Sequence, residues 1–113
     1  MIITLPKPPS VNHLYGRNKW GGVYIKAEGK TWIEEAGYII KSQWKRKPLI
    51  GDVALYIKYY YCGTWDWDNG NKILSDLLAK MGVYNNDKQV NFAQIETIKV
   101  PHRTNEKVEI EIS

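Results

Sequence analysis

The chain has 113 residues, 43% hydrophobic and 25% charged, which bounds it to one globular domain and excludes a disordered chain or a disulfide mini-scaffold. Sixteen Lys and Arg against twelve Asp and Glu leave a net charge of +4, a surplus that favours an anionic partner without proving one. Five Trp and eight Tyr against one Phe are more telling, because rings with a polar handle suit interfaces and stacking surfaces as well as cores.

The opening MIITLPKPPS lacks the basic start and apolar run of a secretion signal, and no stretch approaches the roughly 18 apolar residues of a membrane span. A cytoplasmic protein without a membrane partner is expected. Ile2 to Leu5 reads as an edge strand stopped by Pro6, Pro8 and Pro9. Residues 10–22, with three glycines, read as a loop, and Val23 to Ile25 as a second short strand. From Glu28 to Lys47, Trp32, Ala36, Ile39 or Ile40, and Trp44 recur at helical spacing, with Lys45, Arg46 and Lys47 in the last turn, where cations suit the dipole. Val53 to Tyr61 is β-branched and aromatic, apolar at both parities, and so reads as a central strand. The lone cysteine that follows, Cys62, cannot form an internal disulfide and reads as a buried, inert residue of a reducing compartment.

A second helix carries the stripe Ile73, Leu74, Leu77, Leu78 and Met81, capped by Asp68 or Asn69 and ended by Gly82. Tyr84 to Asp87 reads as a polar turn and Gln89 to Val100 as a long strand. Lys107 to Ile112 alternates charged and apolar residues, a strand with one wet face. The order β, α, β, α, β, β gives an α+β fold, a small mixed sheet with two main helices, as one domain over residues 1–113.

Counting dismisses several attractive motifs. Gly29-Lys30-Thr31 would end a phosphate-binding P-loop only with glycine at 24, which is Tyr24, so no nucleotide cofactor is expected. Asp66 to Gly70 resembles a calcium-loop opening, but the glycine comes one position early and the twelfth residue is Leu77. Two histidines and one cysteine cannot make a structural zinc site.

What remains is Asp66-x-Asp68-Asn69-x-x-Lys72, followed by Asp87. In an extended segment, residues two apart share a side, with Cα atoms roughly 6.5–7 Å apart. Asp66 and Asp68 can therefore converge where strand gives way to helix, and a hard divalent cation such as Mg²⁺ would relieve their repulsion. Lys72 sits near the positive end of its helix, an unfavourable place for a cation unless it meets an anion such as phosphate. The competing reading is plain capping chemistry beside a solvated lysine, and spacing alone leaves both open.

Four blocks together resemble the RusA family of Holliday-junction resolvases: Leu5-Pro6-x-Pro8-Pro9-Ser10-x-Asn12, Ala27-Glu28-Gly29, Asp66-x-Asp68-Asn69-x-x-Lys72 and Asp87-x-Gln89-Val90. The resemblance implies a homodimeric endodeoxyribonuclease acting on four-way junction DNA with Mg²⁺, or Mn²⁺ in its place. It implies Asp66, Asp68 and Asp87 as catalytic, metal-binding carboxylates and Lys72 as an essential, DNA-facing lysine. The chain departs from some relatives at Gly63, Thr64 and Trp65, where they carry basic residues, and at Asn86, where an acid can stand. Asn12, His13, Arg17 and Lys19 form a polar loop suited to DNA-backbone contacts, or an ordinary solvated loop. Lys41, Lys45, Arg46 and Lys47 make a basic helix end that could touch DNA or simply terminate the helix. Trp65 and Trp67 flank the first carboxylate, for stacking on unpaired bases or, in the blander reading, for packing. The rivals are a catalytically silent junction binder and a small dimeric interaction protein.

Overall fold

In the computed structural model, which describes residues 1–10, 13 and 15–113, period-two alternation sorts the strand residues onto two faces. Strands β1 (Ile2–Leu5), β4 (Val53–Tyr61), β5 (Val90–Lys99) and β6 (Lys107–Ile112) form a sheet in the order β1-β6-β4-β5. β1 pairs antiparallel with β6 and β6 with β4, whereas β4 and β5 run parallel, so the sheet is mixed as expected. β1 lies at an edge and β4 inside. Parallel neighbours need a crossover, and helix α2 (Asn71–Lys80) supplies it between β4 and β5.

Ile3, Leu5, Leu55, Ile57, Tyr59, Val108 and Ile110 fill the inner face together with Trp32, Ala36 and Ile40 of helix α1 (Ala27–Gln43) and Ile73, Leu74, Leu77 and Leu78 of α2. Each such aliphatic side chain contributes about 1.5–3 kcal/mol by leaving water. Gly37 lets the helices approach, because a Cβ there would stand 3.2 Å from the Met81 sulfur. No helix among the described residues is long and apolar enough to cross a membrane.

Four local expectations are corrected. Residues 10–22 are not all loop: β2 (Tyr15–Arg17) pairs antiparallel with β3 (Val23–Ile25) as a separate two-stranded sheet. α1 stops at Gln43, because Trp44 turns to an extended conformation (φ −91°, ψ 98°) and buries its indole. Lys45, Arg46 and Lys47 thus lie beyond the helix, and Lys41 is the cation of its last turn. Tyr84 is fully buried rather than part of a polar turn, its hydroxyl donating to the Ser75 carbonyl at 2.8 Å. Cys62 is half-buried rather than sealed in the core.

Candidate active site

The segment between β4 and α2 carries Asp66 and Asp68, and it is tied down at both ends. At its start the Cys62 N–H donates to Glu106 Oε2 (2.8 Å), and the same oxygen lies 3.5 Å from Lys7 Nζ. That ammonium sits 4.0 Å from the centre of the Trp65 ring, which packs on Tyr59 at 5.4 Å. At its end the Tyr59 hydroxyl donates to Asn71 Oδ1 (2.6 Å), and Asn71 Nδ2 donates to the Trp67 carbonyl (3.3 Å). Burial pushes the Tyr59 hydroxyl well above the usual tyrosine range, so it stays protonated and able to donate. Between the anchors the Asn69 N–H donates to the Asp66 carbonyl (2.9 Å), which closes a turn.

Helix α2 is not capped by Asp68 or Asn69. The N-cap is Gly70, in a left-handed conformation (φ 84°) and without a side-chain cap. Asp66 and Asp68 are exposed, and neither carboxylate has a hydrogen-bond or ion-pair partner among the described residues. Gly70 is required for two reasons. Its φ disfavours any L side chain, and a Cβ would meet Pro8 Cγ at 2.8 Å. The proline-rich N-terminal block therefore braces the carboxylate turn, while the Trp32 indole N–H holds that block to α1 through the Pro6 carbonyl (2.8 Å). Gly70→Ala is expected to destabilise the fold by roughly 1–3 kcal/mol. A lower urea midpoint with unchanged slope would show this; an unchanged midpoint would remove the bracing role.

Lys72, on the first turn of α2, lies 3.2 Å from Asp76 Oδ1 and 3.7 Å from Asp87 Oδ2. The hydrogen bond and charge of Asp76, and then Asp87, push its ammonium above the ordinary lysine range. Asp87 opens a short 3-10 turn, Asp87–Gln89, which is fixed by a capping box. Asn86 Oδ1 accepts from the Lys88 N–H, and Gln89 Oε1 accepts from the N–H groups of Asn85 and Asn86. Gln89 thus belongs to this turn and not to the strand. Burial first, and then the charges of Asp87 and Asp76, push the Tyr84 hydroxyl up in the same neighbourhood.

The fold brings Lys72, four residues after Asp68 in the chain, to within 3.7 Å of Asp87, and among the described residues neither Asp66 nor Asp68 forms an ion pair with Lys72. Among the described residues no three His, Cys, Asp or Glu side chains gather closely enough to form a preformed metal cage. The donor chemistry nevertheless suits a hard cation: Asp66 and Asp68 offer exposed carboxylate oxygens, and Mg²⁺ commonly completes its shell with water and substrate phosphate.

Asp66 also lines an open cavity of about 700 Å³ with Lys7, His13, Glu28, Asn69 and Arg103. His13 Nδ1 lies 3.7 Å from Glu28 Oε2 at its rim. Arg17 on β2 and Lys19 beyond it do not line this cavity, and Asn12 lies outside the described residues. Trp65 serves packing, whereas Trp67 is 66% exposed. Lys7, Tyr59, Asn71 and Glu106, which hold the carboxylate turn, were not among the residues singled out from sequence. Tyr59 alone carried a signal, since an inward-facing strand tyrosine needs a partner for its hydroxyl.

A protein-family model described as Endodeoxyribonuclease RusA matches residues 6–113. Crossover junction endodeoxyribonuclease RusA of Escherichia coli strain K12 is 31% identical, over 98% of this chain and 92% of that protein. Those of Enterobacteria phage 82 and Shigella sonnei strain Ss046 are 32% identical with the same coverage.

Proposed function

This chain belongs to the RusA family of endodeoxyribonucleases, and from that membership we propose that it resolves four-way (Holliday) DNA junctions by hydrolysing phosphodiesters. The observation that carries the reading is the exposed Asp66–Asp68 pair, whose carboxylates have no partner among the described residues, on a turn anchored at both ends. Capping does not account for these acids, because the helix begins at Gly70. Asp66, Asp68 and Asp87 would hold Mg²⁺, or Mn²⁺ in its place. Such an ion supplies polarisation of the scissile phosphate and a bound water of lowered pKa. Lys72 keeps its positive charge beside Asp87 and neutralises charge that develops on the phosphate. His13, Arg17 and Lys19, with Asn12, contact the backbone of the arms and set register rather than sequence.

A junction has approximate two-fold symmetry and requires a nick in each of two opposing strands, which suits a homodimer with one site per subunit. The exposed Tyr56–Phe92 pair on the outer sheet face, with ring centres 5.7 Å apart, is apolar surface of the kind that assembly hides. A labelled synthetic four-way junction, incubated with Mg²⁺ or with EDTA, tests the reading. Symmetric nicks only with metal are expected, with a dimer mass by sedimentation at low salt. A gel shift without nicks would instead identify a silent junction binder. A monomer would count against paired nicking.

A further inference from the structure

We infer that the β2–β3 hairpin is a base-stacking arm whose tip residue, Trp20, lies against an unstacked base of the junction. The inference rests on the junction-DNA reading above and adds a contact to it. Trp20 is 82% exposed, more than any other aromatic side chain among the described residues. An indole left in water on a floppy loop would mean little, but this tip is built. The Asn18 side-chain oxygen accepts from the N–H groups of both Trp20 and Gly22, each at 2.9 Å. The Asn18 N–H donates to the Gly22 carbonyl (2.9 Å) and the Gly21 N–H to the Asn18 carbonyl (3.1 Å), with Gly21 at φ 83°. Asn18 therefore locks the turn that displays the indole, and little conformational entropy is lost when the indole is engaged.

The arm's surroundings select the partner. Between Tyr15 and Ala27 the chain carries Arg17, Lys19 and Lys26 and no acid, and Lys19 Nζ lies 5.0 Å from the Trp20 ring centre. A second copy of this chain, with net charge +4 and the same basic arm, is a poor match for that surface; a polyanion is a good one. The indole itself is uncharged and gains nothing from phosphates, but any base face suits it. Bases in linear duplex are already stacked on each other, whereas those at a crossover can be parted. Position agrees with this assignment. The hairpin forms a two-stranded sheet of its own, its root residue Tyr15 packs on the core, and Tyr24 lies across Gly16. His13 before it and Glu28 after it line the cavity that holds Asp66, so the arm rises from the rim of the proposed site.

The test compares wild type, Trp20→Ala and Trp20→Phe in EDTA, binding a four-way junction and a linear duplex of the same sequence. Trp20→Ala should weaken junction binding roughly 5- to 100-fold, the span of one base–aromatic stack, and leave duplex binding within about twofold. Trp20→Phe should recover most of the loss. Arg17→Ala should weaken both DNAs alike and reduce the salt slope by about one charge, the behaviour of a phosphate contact. Unaltered junction binding by Trp20→Ala overturns the arm while leaving the junction reading intact, as does equal loss on both DNAs. Conversion of Trp20→Ala to a monomer by sedimentation also overturns it, by assigning the indole to a subunit contact. Wild-type protein that does not bind the junction overturns the underlying reading and the arm with it.

Discussion

Asp68→Asn is expected to abolish junction cleavage while the protein still binds the junction as tightly as wild type, or more tightly. Asp68 is exposed, lies outside helix α2 and its cap, and its carboxylate has no partner among the described residues, so an isosteric amide costs the fold little. The amide keeps one weak oxygen donor and loses the charge that a hard cation requires. The same change removes a negative charge that would face the DNA backbone, so electrostatics favour binding in the variant. Single-turnover cleavage and gel-shift affinity, measured on one preparation, separate the two effects. Loss of both together, with a lowered unfolding midpoint, would show that Asp68 serves the fold. Retained cleavage would exclude it from the reaction.

The candidate site was legible where it is local and obscure where it depends on distant packing. Asp66, Asp68 and Lys72 lie within seven residues, and their spacing alone raised the question of a cation. The anchors of that turn were not legible, since Glu106 is 44 residues from Cys62 and no periodicity links them. Asp87 was visible through the family resemblance, but its approach to Lys72 follows from how the crossover helix lies beside the start of β5. The sheet is legible because β4 and β6 obey simple rules: apolar at both parities inside, alternating beside it. Local rules fail where they meet a stronger force. Three cations suited a helix end, yet burial of Trp44 stopped the helix before them. Asp68 and Asn69 suited a cap, yet the left-handed Gly70 took the position. Val23 to Ile25 is legible as a strand, but its partner β2 is not, because Tyr15-Gly16-Arg17 centres on a glycine and shows no apolar alternation.

Lys72 should show the reverse dissection from a general basic residue. Lys72→Ala is expected to slow single-turnover cleavage by roughly two to three orders of magnitude, the usual loss when one preorganised donor to a developing oxyanion is removed. Junction affinity should change little, because the interaction strengthens only as charge builds on the phosphate. The structure sharpens this expectation. Asp76 and Asp87 stand 3.2 and 3.7 Å from the ammonium and bias its position toward the proposed site, on a side chain that is 76% exposed. A lysine that merely added to the basic field would behave differently: its loss would weaken binding by a modest factor and flatten the salt dependence by about one charge. Lys72→Arg discriminates between these roles. Arginine keeps the charge but spreads it over a planar fork larger than an ammonium, and that fork cannot occupy the same point between two carboxylates. Poor rescue by arginine is therefore expected, with binding and salt slope close to wild type. Cleavage by Lys72→Arg at near wild-type rate, under saturating junction and Mg²⁺, would show that position does not matter and would reduce Lys72 to a contributor of charge.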